Sequence, residues 1–173
     1  MALVLGIRYP LTGMRARRRA RIELLDEARV ALRVRAFDCD WYGHINNGRY
    51  LSLMDLGRID FVIRSGFYDA CREHGWKPVA AGATIRFRRE LRWRARYELV
   101  TRCVGWGDGW WFFEQRFERS DGSLAAKAYA KIAMLDANGA RVAPETVLDA
   151  VGWSHPSPQL PDDIITWQQI SAG

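Results

Sequence analysis

At 173 residues the chain has the length of one ordinary domain, and its 49% hydrophobic and 12% aromatic content argues against intrinsic disorder. The net charge of +6 comes almost wholly from arginine, because Lys77, Lys127 and Lys131 are the lysines among 26 basic residues. A planar guanidinium suits phosphate, so coenzyme A or a nucleic acid fits as a partner, beside the plainer reading of a solvated arginine surface. Cys39, Cys71 and Cys103 are widely spaced, with no Cys-x-x-Cys pair. That argues against a zinc or redox site and fits reduced thiols in a cytoplasmic protein.

Residues 1–25 show no firm apolar period and read as a basic N-terminal arm, partly helical at most. The apolar run from Ala2 to Ile7 is too short for a signal peptide, and its positive charge follows rather than precedes it. No run approaches the ~18 apolar residues of a membrane span, so no integral membrane segment is expected. From Val30 to Phe37, apolar Val30, Leu32, Val34 and Ala36 alternate with Arg29, Arg33 and Arg35 on the other parity, which predicts a half-exposed strand.

A turn-rich block, Asp38 to Gly48, comes next, and then a helix from Arg49 to Arg64. Tyr50, Leu53, Met54, Gly57 and Phe61 share one face of that helix, while Leu51, Leu56, Ile59, Val62 and Ile63 add apolar positions around it. A helix apolar on most sides is wrapped by other structure. Asn46 or Asn47 is suited to cap its start. A short helix from Tyr68 to Glu73 follows, then four strands: Val79–Leu91, Tyr97–Val104, Trp110–Arg119 and Leu124–Leu135.

In the third of these strands, Trp111, Phe113, Gln115 and Phe117 share a face. In the fourth, Ala126, Ala128, Ala130, Ile132 and Met134 do so, and their small side chains let a helix approach. The turns at 105–109 and 121–123 are hairpin signals, which makes the strands antiparallel. A helical segment follows Pro144 to about Val151, and the proline-rich stretch His155 to Pro161 opens a tail. The expected organisation is a basic arm (1–25), one α+β domain (26–152) and a C-terminal tail (153–173).

The chemistry concentrates in Asp38-Cys39-Asp40-Trp41-Tyr42-Gly43-His44-Ile45-Asn46-Asn47. Asp40 follows a strand in a loop that enters a helix, where the first N–H groups are unpaired and carry the positive end of the dipole. A carboxylate beside such donors meets both needs of thioester hydrolysis: a base or nucleophile, and donors for the developing oxyanion. The same residues also suit a plain turn and cap. Cys39 is discounted as a nucleophile because two flanking acids raise its pKa.

The pattern Asp38-x-Asp40-x-x-Gly43-His44-Ile45-Asn46-Asn47-x-x-Tyr50 resembles the signature of the 4-hydroxybenzoyl-CoA thioesterase-like hotdog proteins. Its continuation, Arg49 to Arg58, resembles the branch that holds bacterial thioesterase-like proteins and thioesterase superfamily member 6. The resemblance covers about residues 30–150. It implies a single hotdog domain, a curved antiparallel sheet wrapped around a long central helix. It also implies Asp40 as the catalytic carboxylate, nucleophile or general base, with His44 and Asn47 completing the catalytic set.

Oxyanion donors in this family are backbone N–H groups. The resemblance implies an acyl-CoA substrate, its acyl group fatty or aromatic, with no separate cofactor or metal and its phosphates assigned to Arg88 and Arg89. Active sites between subunits imply a homodimer or homotetramer. The stretch Arg92-Trp93-Arg94-Ala95-Arg96 departs from the Gly-Asp that many members carry at this point. The leading alternative is a non-catalytic acyl-CoA or lipid binder on the same fold. A hydratase using Asp40 and His44 also competes, as does a nucleic-acid binder. Acids such as Glu114 and Glu118 among the strand aromatics argue against the last, so no nucleic-acid partner is expected.

Overall fold

The computed structural model describes residues 2–171. Five strands, β1 (Ala28–Arg33), β2 (Lys77–Phe87), β3 (Arg96–Gly107), β4 (Trp110–Arg119) and β5 (Leu124–Leu135), form one antiparallel sheet in the order β1-β3-β4-β5-β2. The bounds of β4 and β5 match the sequence reading, because their alternation is unbroken and tight turns flank them. β1 ends short of Phe37. A 3-10 turn at Ala36–Asp38 replaces its last residues, closed by the Asp38 N–H donating to Arg35 O at 2.9 Å. β2 ends at Phe87 rather than Leu91, because the Arg88 and Arg89 N–H groups both turn to Ala125 O.

Helix α2 (Asn47–Arg64) lies on one face of the sheet. Its expected face is the buried one: Tyr50, Leu53, Met54 and Phe61 meet Trp111, Phe113 and Phe117, with Ala126, Ala128 and Ala130 leaving room for the helix. Register shifts at Ala80/Gly82, Cys103/Gly105 and Phe117/Glu118 introduce bends that let the sheet curve round it. This is the α+β hotdog arrangement that the motif implied. Two short helices, α3 (Phe67–His74) and α4 (Pro144–Val151), close one end.

Both ends of the chain pack on the domain. The first residues of the expected basic arm form a helix, α1 (Ala2–Ala16), docked on α2. Its Arg8 is buried and holds both Asp38 carboxylate oxygens at 3.0 Å, and Tyr9 Oη donates to Asp55 Oδ2 at 3.0 Å. The physical reason is that Asp38 is wholly buried and needs cations; Arg49 supplies a second at 3.1 Å. The tail crosses the sheet's other face. There α5 (Asp162–Ser171) buries Ile164 against Val104, Phe112 and Tyr129. Gly105 admits the tail: its φ is +148°, and a Cβ there would sit 2.7 Å from Leu160.

The outer face of the sheet also carries a carboxylate at the centre of three cations. Glu114 accepts from Arg102 at 3.0 Å and Arg116 at 2.8 Å, and Lys127 Nζ lies 3.1 Å away. Burial alone would raise its pKa, but the hydrogen bonds from Arg116, Arg102 and Lys127 outweigh it and hold the carboxyl at about 2, below its ordinary 4.5. A depressed carboxyl stabilises the fold above its unfolded pKa, and that contribution is lost as pH falls toward the folded one. Glu114→Gln is therefore expected to destabilise by about 3 kcal/mol at neutral pH: Arg102 loses the carboxylate it meets, while Arg116 keeps Glu27 and Glu118 and Lys127 keeps Asp163. The gap between wild type and variant should shrink as pH drops from 4.5 toward 2, read by urea unfolding across that range.

Candidate active site

Asp40 opens a tight loop at the entrance to α2. Its N–H donates to His44 O at 3.0 Å, and the Gly43 N–H returns to Asp40 O at 3.1 Å. Gly43 takes φ +77°, a conformation that a side chain disfavours, so the tight return to His44 calls for glycine. The loop is then fastened to the segment after β2: Ile45 N–H donates to Leu91 O and Trp93 N–H to Gly43 O, each at 2.9 Å. Asn46 N–H reaches back to Asp38 O, also at 2.9 Å. The departure at Arg92-Trp93-Arg94 is thus part of the loop's own frame.

The Asp40 carboxylate is partly exposed. One oxygen accepts from the Tyr42 N–H at 2.9 Å, and the other lies 3.4 Å from His44 Nδ1. The structure therefore brings Asp40 and His44 together. The His44 ring stacks on Tyr42. Asn46 caps α2, its Oδ1 accepting from the Gly48 N–H at 2.9 Å, and the Arg49 N–H goes to Asn46 O. Asn47 is the first residue of α2 and is exposed. Among the described residues its backbone N–H has no partner, and it bonds to neither Asp40 nor His44. Of the donors expected at the helix start, two are already occupied and the Asn47 N–H is open.

Cys39 behaves as expected of a bystander. Burial, then the Asp38 and Asp40 charges, push its thiol up, and its Sγ contacts Arg35 O at 3.5 Å. Arg88 and Arg89 are exposed beyond the end of β2, next to Phe87, whose ring meets Tyr50 in the first turn of α2. They therefore lie at the same end of the molecule as the helix start. Among the described residues no group of His, Cys, Asp and Glu has the arrangement of a metal site.

Sequence reasoning missed the cleft beside α2. The small residues Ala80, Ala81, Gly82 and Ala83 of β2 leave a groove against Leu51, Met54 and Asp55. It leads to an apolar cavity of about 250 Å³ between Ile59, Val62, Phe67, Trp111, Phe113 and Ile132. Tyr9, Asp55 and Arg58 line it too, with Arg58 bonded to Asp55 and, at 2.7 Å, to Gln115 Oε1. The alanines of β2 carried the signal, but only the pairing with β5 shows which strand borders the helix.

A family model described as the thioesterase-like superfamily matches residues 34–167. Protein THEM6 of Xenopus laevis is 31% identical over 170 residues, covering 95% of this chain and 80% of that protein. Protein THEM6 of Danio rerio is 34% identical over 128 residues, covering 73% of this chain and 61% of that one. Among solved structures, the probable thioesterase YbaW of Escherichia coli superposes with a TM-score of 0.67 at 20% identity, covering 71% of this chain and 95% of that one. That likeness bears on the fold.

Proposed function

This chain belongs to the thioesterase-like superfamily, and we propose that it hydrolyses fatty acyl-CoA thioesters at Asp40. The observation that carries the reading is the Asp40 carboxylate, partnered by His44, in the loop entering α2, with an apolar cleft running beside that same helix. In this reading Asp40 either attacks the thioester carbonyl, expelling the coenzyme A thiolate and forming an acyl anhydride that water then hydrolyses, or takes the proton of a water that attacks the carbonyl and passes it to the departing thiolate; His44 holds the carboxylate in place. The open Asn47 N–H, at the positive end of α2, supports the developing oxyanion.

The cleft favours an aliphatic acyl group over a compact aromatic one. From Asn47 to Ile59 the helix rises about 18 Å, at about 1.5 Å per residue, which gives an extended chain room beside it. The nucleotide end lies near Arg88 and Arg89, whose exposed guanidinium groups suit phosphate. The three free cysteines fit a reducing, cytoplasmic setting. The test is thiol release from acyl-CoAs of increasing chain length and from benzoyl-CoA. kcat/KM should rise with chain length and be lowest for benzoyl. A preference for benzoyl would contradict the acyl assignment.

One observation favours a second reading, a non-catalytic acyl-CoA binder: Asp40 already braces its own loop through the Tyr42 N–H. That reading requires saturable acyl-CoA binding without release of thiol.

The active protein is a homodimer in this proposal. β2 is a sheet edge of 11 residues that is exposed along most of its length, with Val79 and Phe87 open to solvent and no acid on it. An edge that long and that apolar is a template for another strand. A two-fold partner offers the same β2 in antiparallel register. The outer sheet face is taken by α5, which favours a dimer over a tetramer stacked through that face. Light scattering should give about 40 kDa, twice the chain's 19.9 kDa. Val79→Lys with Ala83→Lys should shift it to the monomer. A wild-type monomer would contradict this assignment.

A further inference from the structure

On the side of α2 away from β2, a cavity of about 480 Å³ opens between α1, β1 and β3. Five arginines line it: Arg8, Arg15, Arg33, Arg35 and Arg96. Arg8 is committed to Asp38. Among the described residues the guanidinium groups of the other four meet no carboxylate, although the Arg33 Nε donates to Arg94 O at 3.0 Å and the Arg35 guanidinium lies over the Phe37 ring. The acid of the lining is Glu98, and Arg29 already holds it at 2.9 Å. The adjoining groove shares Arg15, but its other two arginines are paired, Arg19 with Asp60 and Arg29 with Glu98. The cavity therefore concentrates more uncompensated positive charge than its neighbour.

The surface beside the arginines is apolar, formed by Leu11, Ala31 and Leu32, with Leu56 and Tyr97 buried beneath it. We propose that this cavity binds a phosphorylated amphiphile, its phosphate among Arg15, Arg33, Arg35 and Arg96 and its apolar part on Leu11, Ala31 and Leu32. A carboxylate is satisfied by one guanidinium fork, whereas a phosphate has more oxygens and more charge to share among several. The apolar wall separates such a ligand from a bare anion, which would leave that surface wet. The site is separate from the cleft bordered by β2, since it opens at the opposite edge of the sheet.

The test uses dodecyl phosphate as the probe, supplied two ways to the full chain. Equilibrium dialysis below its micellar concentration reads a free amphiphile. Sedimentation with phosphatidylcholine vesicles doped with it reads a membrane-held one. Arg15→Ser with Arg96→Ser removes two unpartnered, exposed side chains and should leave the fold intact, checked by the melting temperature. Saturable binding in either arm, weakened about tenfold or more in that variant, is expected; tenfold corresponds to one charge-assisted hydrogen bond.

The charge-matched pair Arg72→Ser with Arg141→Ser should bind as wild type does. Equal binding by the cavity variant in both arms would overturn the proposal. So would inorganic phosphate or laurate binding as tightly as dodecyl phosphate. Coenzyme A displacing the probe with the same dependence on Arg15 and Arg96 would place the substrate's own phosphates there, and would overturn a separate site.

Discussion

Asp40→Asn is expected to lower kcat/KM for fatty acyl-CoA hydrolysis by about 100- to 10,000-fold, the range of a positioned acid or base. The substitution is nearly isosteric. Its amide oxygen still accepts from the Tyr42 N–H, so the loop from Asp40 to His44 keeps its shape. What is lost is the negative charge that attacks the thioester or receives the water's proton. Binding should change little, because the proposal puts the acyl chain in the cleft beside α2 and the phosphates at Arg88 and Arg89. A fall in kcat with acyl-CoA affinity nearly intact is the expected pattern. A joint loss of binding and melting temperature would instead assign Asp40 a bracing role.

Gly57→Val is expected to cost the most stability of any single change considered. α2 crosses the sheet in close contact at Gly57. A Cβ there would collide with Thr101 Oγ1 and lie 2.8 Å from Gln115 Nε2 and 3.0 Å from Leu99 Cδ2. Gln115 is fully buried, and its Nε2 donates to Met54 O at 2.8 Å and to Thr101 Oγ1 at 2.9 Å. The helix must rise off the sheet, or these bonds must break.

Overpacking costs about 1–3 kcal/mol, and stranding a buried polar group costs about 1–3 more. Better helix propensity returns about 1 kcal/mol for alanine and less for valine. Gly57→Ala should therefore lose about 1–5 kcal/mol, or roughly 2–20 °C in Tm, and Gly57→Val should lose more. Thr101→Ala removes the nearest obstruction. Combined with Gly57→Ala, it should recover part of the loss, and strict additivity of the two would count against the close-approach account.

These two residues show what the sequence made legible. The helix, read as Arg49 to Arg64 with Asn46 or Asn47 as cap and found from Asn47 with Asn46 as cap, followed with its buried face from the spacing of Tyr50, Leu53, Met54, Gly57 and Phe61. β4 and β5 followed from period two and the turns that flank them. What stayed hidden depends on partners far along the chain. Arg8 is a lone cation ahead of the basic run in an arm that looks unpatterned until the buried Asp38 is placed 30 residues away. The tail's docking needed a second apolar parity on the sheet, and Val104, Phe112 and Tyr129 supply it. In a half-exposed strand those residues look like ordinary surface variation.

The motif itself was legible as a loop entering a helix. Its hydrogen bonds were not, because Asn46 takes the Gly48 N–H and Tyr42 takes one Asp40 oxygen only once Gly43 turns the chain. The departure at Arg92 to Arg96 made sense only after Trp93 was seen bonding to Gly43 O.

The central claim is hydrolysis at Asp40, and its most direct measurement is free thiol released from long-chain acyl-CoA by equal amounts of wild type and Asp40→Asn. The account predicts multiple turnovers by wild type and release near background by the variant, with both proteins still binding the substrate. Saturable binding with no release by wild type, or equal release by both proteins, would contradict it.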